Sequence, residues 1–241
     1  MNRKTVMAVT ISTVALVGTL YVARPGHAAD AKTPYPTMAP LDQYLTTDRN
    51  AEIALARSAG PPSISADATV MVLGTHGYEN AVEGKNGFVC LVDRAWMDKF
   101  DSREFWNPKN RGPVCYNPPA ARTVLPMTFM RTKFVLAGQS KDEIYDSMKA
   151  AIEKNELPPL EPSAMAYMLA KQGHLNDSAG HWFPHLMFYV PLKDGKTWGA
   201  GAPDSPILVN PHFNGAPEPV TEFIVTVSAW SDGTPASRDH H

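Results

Sequence analysis

Residues 140–169 read SKDEIYDSMKAAIEKNELPPLEPSAMAYML, and the spacing of the apolar residues changes inside this stretch. Ser140 and Glu143 have the spacing of a capping box, in which each side chain bonds to the other residue's backbone at the start of a helix. Apolar residues then recur at helical spacing until Pro158 and Pro159, which cannot continue a helix. The sequence therefore predicts a helix here and extended structure beyond residue 160.

Short apolar runs with a period of two predict the strands of the fold. Beyond residue 160 they cover residues 164–169, 185–190, 207–209 and 220–230. Before the helix, residues 69–73 predict another buried strand. The Asn-Gly pair at 86–87 predicts that residues 78–93 form a β-hairpin.

The remaining segments complete the predicted fold. Asp48 can cap a short helix that ends before Gly60, and residues 118–138 predict a helix kinked at Pro126. Residues 98–119 predict an irregular loop, because they are rich in proline, asparagine and aromatic residues. Strands, helices and further strands in this order predict an α+β fold, with a mainly antiparallel sheet packed against two or three helices.

The composition is that of a globular protein. The chain has 241 residues, 44% of them hydrophobic, and a formal net charge of -2. This excludes a coiled coil and a collagen-like chain, and the lack of a basic surplus argues against a nucleic-acid partner. With no internal repeat and no long linker, we expect a single domain over residues 29–230 and a flexible tail over residues 231–241.

Residues 1–28 have the layout of a secretory signal peptide. Arg3 and Lys4 precede an apolar run, and small residues at Gly26 and Ala28 suit cleavage before Ala29. The alternative is an uncleaved membrane anchor. We therefore expect a periplasmic or extracellular protein, soluble and without stable membrane insertion after cleavage, because no later segment is long and apolar enough to span a bilayer.

Export determines how the cysteines are interpreted. Cys90 and Cys115 are the two cysteines of the chain, and in an oxidising compartment such a pair predicts a single disulfide. A reactive thiol is the alternative, but neither cysteine belongs to a Cys-x-x-Cys motif.

The densest group of polar side chains lies in residues 174–185, HLNDSAGHWFPH. His174, His181 and His185 could bind a divalent or transition metal ion, since imidazole suits zinc, copper and non-haem iron. His76, in a loop that follows a predicted strand, could extend this metal site. Pro184 disfavours a helix through His181 and His185, so the site requires a bend at Phe183 and Pro184.

Two other interpretations of these histidines stay open. In a hydrolase-like enzyme, His181 or His185 would be a general base oriented by Asp177. In a structural or partner-binding protein, the histidines would only bond to backbone carbonyls. The serine-hydrolase elbow, the P-loop, the dinucleotide fingerprint and the His-Glu-x-x-His motif are all missing from the sequence.

The strings GKNGFVCLVDRAW, FWNPKNRGPVCYNPPAARTVLP and NDSAGHWFPHLMFYVPL resemble a family of uncharacterised exported bacterial proteins. The resemblance spans most of residues 40–230. It implies export and a single domain, and it carries over no catalytic residue. Our expectation from the sequence is an exported domain that binds a small molecule or a metal ion through its histidine-rich loop.

Overall fold

The structure is a computed structural model that describes residues 34–192, 194–209 and 216–236. The predicted signal peptide and its cleavage site before Ala29 lie outside these ranges. Every helix within them is too short or too polar to cross a bilayer.

The described chain forms an α+β fold, as predicted. Helices α1 to α5 span Arg49–Arg57, Pro62–Ser65, Pro118–Thr123, Leu125–Leu136 and Lys141–Glu153. Strands β1 to β8 span Thr69–Gly74, Gly77–Val82, Val89–Asp93, Gly112–Tyr116, Met165–Met168, His185–Pro191, Ile207–Val209 and Val220–Thr226. These strands form one eight-stranded sheet in the order β2-β1-β3-β4-β5-β6-β8-β7. Neighbouring strands are antiparallel except for β1 and β3, so the prediction of a mainly antiparallel sheet is confirmed.

The helix starts follow local rules. Asp48 caps α1 by accepting hydrogen bonds from the backbone of Asn50 and Ala51, and the capping box of Ser140 and Glu143 is present at the start of α5. The predicted kinked helix over residues 118–138 is wrong, because two helices meet there. Pro126 lies in the first turn of α4, where its missing N–H costs no helical hydrogen bond.

The predicted hairpin over residues 78–93 is also wrong. β2 pairs with β1 through a turn between Gly74 and Gly77, and β3 pairs with β1 in parallel. The Asn-Gly pair lies in the crossover between β2 and β3. Asn86 is held there because its side-chain amide donates to the carbonyl of Ile64 (2.7 Å) and its side-chain oxygen accepts from the backbone N–H of Phe88 (3.0 Å).

The predicted disulfide between Cys90 and Cys115 is confirmed. The two cysteines are direct cross-strand partners on β3 and β4, so residues 112–116 belong to a strand and not to the predicted loop. In the chain-entropy model, a link across 25 residues stabilises the fold by about 3 to 4 kcal/mol.

Alternation along the strands gives the sheet two different faces. On the first, which we call the α1 face, Cys90, Val92 and Cys115 pack with Ala56 of α1. On the second, the α4 face, Leu91 and Val114 share a core with residues of α4 and α5. α1 and α4 therefore cover opposite faces of the sheet.

The chain beyond β8 is attached to the sheet region. The backbone N–H of Ser231 donates to the carbonyl of Leu169, and that of Ala236 donates to the carbonyl of Ser228 (both 2.9 Å). Residues 231–236 of the predicted flexible tail are therefore hydrogen-bonded to the chain before them. Residues 237–241 lie outside the described chain.

Candidate functional site

A cavity of about 330 Å³ lies on the α4 face, between the sheet and α4. We call it the central cavity. From the strands it is lined by Asp93, Gly112, Tyr116, Met168, His185, Met187, Tyr189, Glu222 and Ile224. From α4 and the connecting segments it is lined by Arg94, Ala95, Met97, Asp98, Asn110, Val124, Met127, Thr128, Arg131, His174, Leu175, Trp182, Phe183 and Glu218.

The register of the strands brings these side chains to one face. His185, Met187 and Tyr189 alternate along β6, so all three point to the same side of the sheet. Across the ladders, Met168 is the partner of His185, Ile224 of Met187 and Glu222 of Tyr189. Strand pairing alone therefore assembles a wall with thioether, imidazole, phenol and carboxylate groups.

Asp93 is an acid inside this cavity. It ends β3, two residues after the buried Leu91, and its Oδ1 atom is buried without a hydrogen-bond partner. The accessible surface that the Asp93 side chain retains faces the cavity, which lies inside the protein. Burial raises the pKa of Asp93 to about 7, while nearby Arg94 opposes the shift and Glu222 adds to it. Asp93 therefore changes charge near neutral pH.

A buried ion pair joins α4 to the segment before β8. The guanidinium of Arg131 donates from Nε to Oε1 of Glu218 at 2.6 Å, and both side chains are at most 3% exposed. Arg131 also donates to the backbone carbonyls of Trp96 (3.2 Å) and Asp98 (3.0 Å). The second oxygen of Glu218, Oε2, is buried without a partner.

His185 is held as a neutral imidazole. Its Nδ1 lies 2.8 Å from the carbonyl oxygen of Phe183, which can only accept, so Nδ1 carries the proton and Nε2 has the free lone pair. Burial lowers the pKa of His185 to about 4. The ring is therefore a hydrogen-bond acceptor or a weak base at neutral pH.

Two buried tyrosines complete the polar part of the wall. Burial raises the pKa of Tyr116 and of Tyr189 well above the ordinary value, so both hydroxyls keep their protons. The two rings are stacked, with centroids 6.4 Å apart. They supply hydroxyl groups and aromatic faces to the same cavity.

The histidines predicted from the sequence are distributed over different surroundings. His174 and His185 line the central cavity. His181 lies outside it, with its ring 5.1 Å from the rings of Trp182 and Trp230. His76 lies at the turn between β1 and β2, in a separate depression that also contains Phe129.

Asp177 is a partner of His174. Its carboxylate lies 3.1 Å from Nε2 of His174 and also contacts Tyr35, Asn107 and Lys109. The hydrogen bond from Tyr35, together with those from Lys109, Asn107 and His174, holds the pKa of Asp177 well below its usual range. The predicted pairing of Asp177 with His181 or His185 is therefore replaced: Asp177 orients His174, and the Phe183 carbonyl orients His185.

Across the three described ranges, no group of three or more histidine, cysteine or acidic side chains is placed to hold a metal ion. The residues that do converge are those of the central cavity.

Sequence reasoning missed Asp93, Glu218, Glu222, Tyr116 and Arg131. Asp93 had a readable signal, since an acid directly follows the apolar run of residues 88–92 and therefore ends a strand. The other four carried none, because they lie on separate elements and only strand pairing and the docking of α4 bring them together.

Comparisons of the chain with protein-family models, with curated proteins and with solved structures found no match.

Proposed function

We propose that this protein binds a small, largely apolar molecule in the central cavity. The observation that carries the proposal is the cavity itself, because about 330 Å³ is within the range of small-molecule sites. Apolar side chains such as Met127, Met168, Met187 and Ile224 make up much of its wall. A few polar groups, among them Asp93 and His185, converge on the same space, as is usual in sites that orient a ligand.

We also infer that the protein acts outside the cytoplasm. The disulfide between Cys90 and Cys115 supports this, because disulfides persist in oxidising compartments. The signal-peptide pattern of residues 1–28 supports the same conclusion. The ligand would then be a molecule of the periplasm or of the surroundings of the cell.

Binding of a neutral aromatic probe, phenethyl alcohol, tests the proposal. With methyl-labelled methionines followed by NMR, we expect the probe to shift the signals of Met127, Met168 and Met187. The signal of Met71, on β1 and outside the cavity wall, is expected to stay in place.

A pair of variants tests whether the probe occupies the central cavity. Ile224→Trp fills part of it and should weaken probe binding by about tenfold, the effect of about 1.4 kcal/mol. Leu208→Trp is the matched control, because Leu208 is the cross-strand partner of Ile224 but is exposed on the edge strand β7 and does not line the cavity. Absence of any shift in the wild type, or equal weakening by both variants, would contradict the proposal.

An acid–base enzyme is the second candidate. The observation that favours it is the pKa of Asp93, near 7 in a cavity, which suits a group that gives and takes protons at neutral pH. An enzyme would convert a bound molecule to a product, and the variant Asp93→Asn would lose this conversion. A binding protein would leave the molecule unchanged.

A further inference from the structure

The charges around the central cavity are unbalanced. Among the described lining residues, four are acids and two are arginines. The acids are Asp93, Asp98, Glu218 and Glu222, and the arginines are Arg94 and Arg131. Acidic side chains therefore outnumber arginines on the described part of the wall.

Both arginines are engaged by the protein itself. Arg94 donates to Glu52 at 2.8 Å and to the backbone carbonyl of Tyr44 at 2.7 Å, and its side chain is fully buried. Arg131 donates to Glu218 and to two backbone carbonyls, as described above. The charge of Arg94 is therefore compensated by Glu52, which lies outside the cavity wall.

Two of the acids have oxygen atoms without a donor. Glu218 is 2% exposed, and its Oε2 atom has no hydrogen-bond partner although Oε1 is bonded to Arg131. Oδ1 of Asp93 has no partner either. An ionised carboxylate only accepts hydrogen bonds, and a buried acceptor without a donor is costly. A ligand that brings donors and positive charge would relieve both groups.

We propose that the ligand of the central cavity carries a protonated amine, which lies against the Asp93 and Glu218 side of the wall while its apolar body contacts Met127, Met168 and Met187. This inference rests on the proposed function, because it names the chemistry of the ligand of the same cavity.

An organic ammonium ion fits these walls better than a bare metal ion does. A metal would require several converging ligands, and among the described residues no three histidine, cysteine or acidic side chains are placed to hold one. The aromatic faces of Tyr116 and Tyr189 add to the attraction, since a cation over a ring interacts with its negative face. The apolar body supplies the hydrophobic part of the binding free energy.

The titration of Asp93 supports the inference. Burial raises its pKa although Arg94 and Arg131 act to lower it, and a bound ammonium ion would further stabilise the ionised form. The affinity for an amine should therefore rise by about tenfold from about pH 6 to about pH 8, as the ionised fraction of Asp93 rises. The charged or titratable groups that face Asp93 or share its cavity are Tyr78, Arg94, Asp98, Tyr116, Arg131, His174, His185, Tyr189, Glu218 and Glu222.

The test compares phenethylamine with phenethyl alcohol, which has the same shape but no charge. Both are titrated into the protein by isothermal calorimetry at about pH 8. We expect the amine to bind at least about tenfold more tightly, as one charge-assisted hydrogen bond to a buried carboxylate implies. The affinity for the alcohol should not change between about pH 6 and about pH 8.

Three variants assign the preference to particular side chains. Asp93→Asn keeps the shape and removes the charge, so it should abolish both the preference for the amine and the pH dependence. Glu218→Gln should reduce the preference for the amine; because it also weakens the buried pair with Arg131, its fold is checked before the affinities are compared. Asp146→Asn is the control, because Asp146 is exposed on α5, away from the cavity wall, and it should behave as the wild type.

The outcomes separate the two proposals. If the alcohol binds in the cavity as tightly as the amine, the amine inference is overturned and the binding function stands. If neither molecule binds, the proposed function fails and the inference fails with it. Circular dichroism checks the fold of each variant. Should Asp93→Asn not fold, the wild-type protein decides: an amine affinity that rises from about pH 6 to about pH 8 supports the inference, and one that stays constant overturns it.

Discussion

On the α1 face of the sheet, small side chains and the disulfide fill the space, whereas on the α4 face the side chains enclose the central cavity. Val70, Cys90, Val92 and Cys115 are fully buried on the α1 face, against Ala56. The α4 face contains longer side chains, and several of them are polar or charged. The same sheet therefore has one face that serves mainly for stability and one that retains space and chemical groups.

The buried ion pairs near the two faces differ in how completely their carboxylates are hydrogen-bonded. The ion pair of Arg94 and Glu52 connects the end of β3 to α1, and Glu52 also accepts from the backbone of Leu73. The ion pair of Arg131 and Glu218 lies at the cavity and leaves one carboxylate oxygen without a partner. The carboxylate of Glu52, near α1, is hydrogen-bonded within the protein. The carboxylate of Glu218, at the cavity, keeps one oxygen atom that can accept a hydrogen bond from a ligand.

Breaking the ion pair at the cavity should have the largest effect. Arg131→Met leaves Glu218 buried without its cation, which should lower the free energy of unfolding by about 3 to 5 kcal/mol. Urea denaturation measures this change. Arg122→Met is the control, because Arg122 and Glu161 form an exposed pair whose loss should cost about 1 kcal/mol or less. Similar losses of unfolding free energy in both variants would contradict the claim that burial makes the Arg131–Glu218 pair more important than the exposed pair.

Acid should act on the α4 face through His185. Its pKa is about 4 in the folded protein and about 6.5 when unfolded, so the unfolded chain takes up the proton first as the pH falls. The contribution of His185 to stability is therefore present above about pH 6.5 and is lost between about pH 6.5 and about pH 4. The loss amounts to about 3 kcal/mol.

The variant His185→Gln isolates this effect. Measured by urea denaturation at both pH values, the difference in unfolding free energy between variant and wild type should move by about 3 kcal/mol in favour of the variant at the lower pH. The opposite titration of Asp93 occurs in both proteins and cancels in the difference. A difference that does not change with pH would show that His185 is not buried as described.

Adding volume should produce the smallest effect and compares the two faces directly. Ala56→Leu on the α1 face should destabilise the protein by about 1 to 3 kcal/mol, because no space remains around this fully buried alanine. Ile224→Trp extends into the central cavity and should change stability by less than about 1 kcal/mol. Thermal unfolding of both variants measures the difference in stability. An equal loss of stability would mean that the central cavity has no room for the larger side chain.

Features that depend on neighbouring residues could be predicted from the sequence. The capping box of Ser140 and Glu143, the cap at Asp48 and the strand Ile207–Val209 are formed as expected. The disulfide also followed, because the chain contains two cysteines. Interactions within one turn of helix, or along one strand, require nothing from the rest of the fold.

Features that depend on distant partners could not be predicted. The Asn-Gly pair at 86–87 is a strong hairpin signal, yet β3 pairs in parallel with β1, and Asn86 lies in the crossover with its side chain bonded to the distant Ile64. In the candidate site, the sequence found His174 and His185 but grouped them with His181 and His76. Nothing local reveals which way a histidine on a loop will face.

The sequence by itself determined the α+β class, most of the helix and strand positions and the covalent link between Cys90 and Cys115, since these follow from periodicity, caps and composition. Only the tertiary structure decided the order of the strands and the site. Asp93, Glu218 and His185 lie far apart in the chain, and strand register and the docking of α4 bring them around one cavity. Burial there then shifts the pKa of Asp93 to about 7 and that of His185 to about 4, and burial is a property of the folded chain alone.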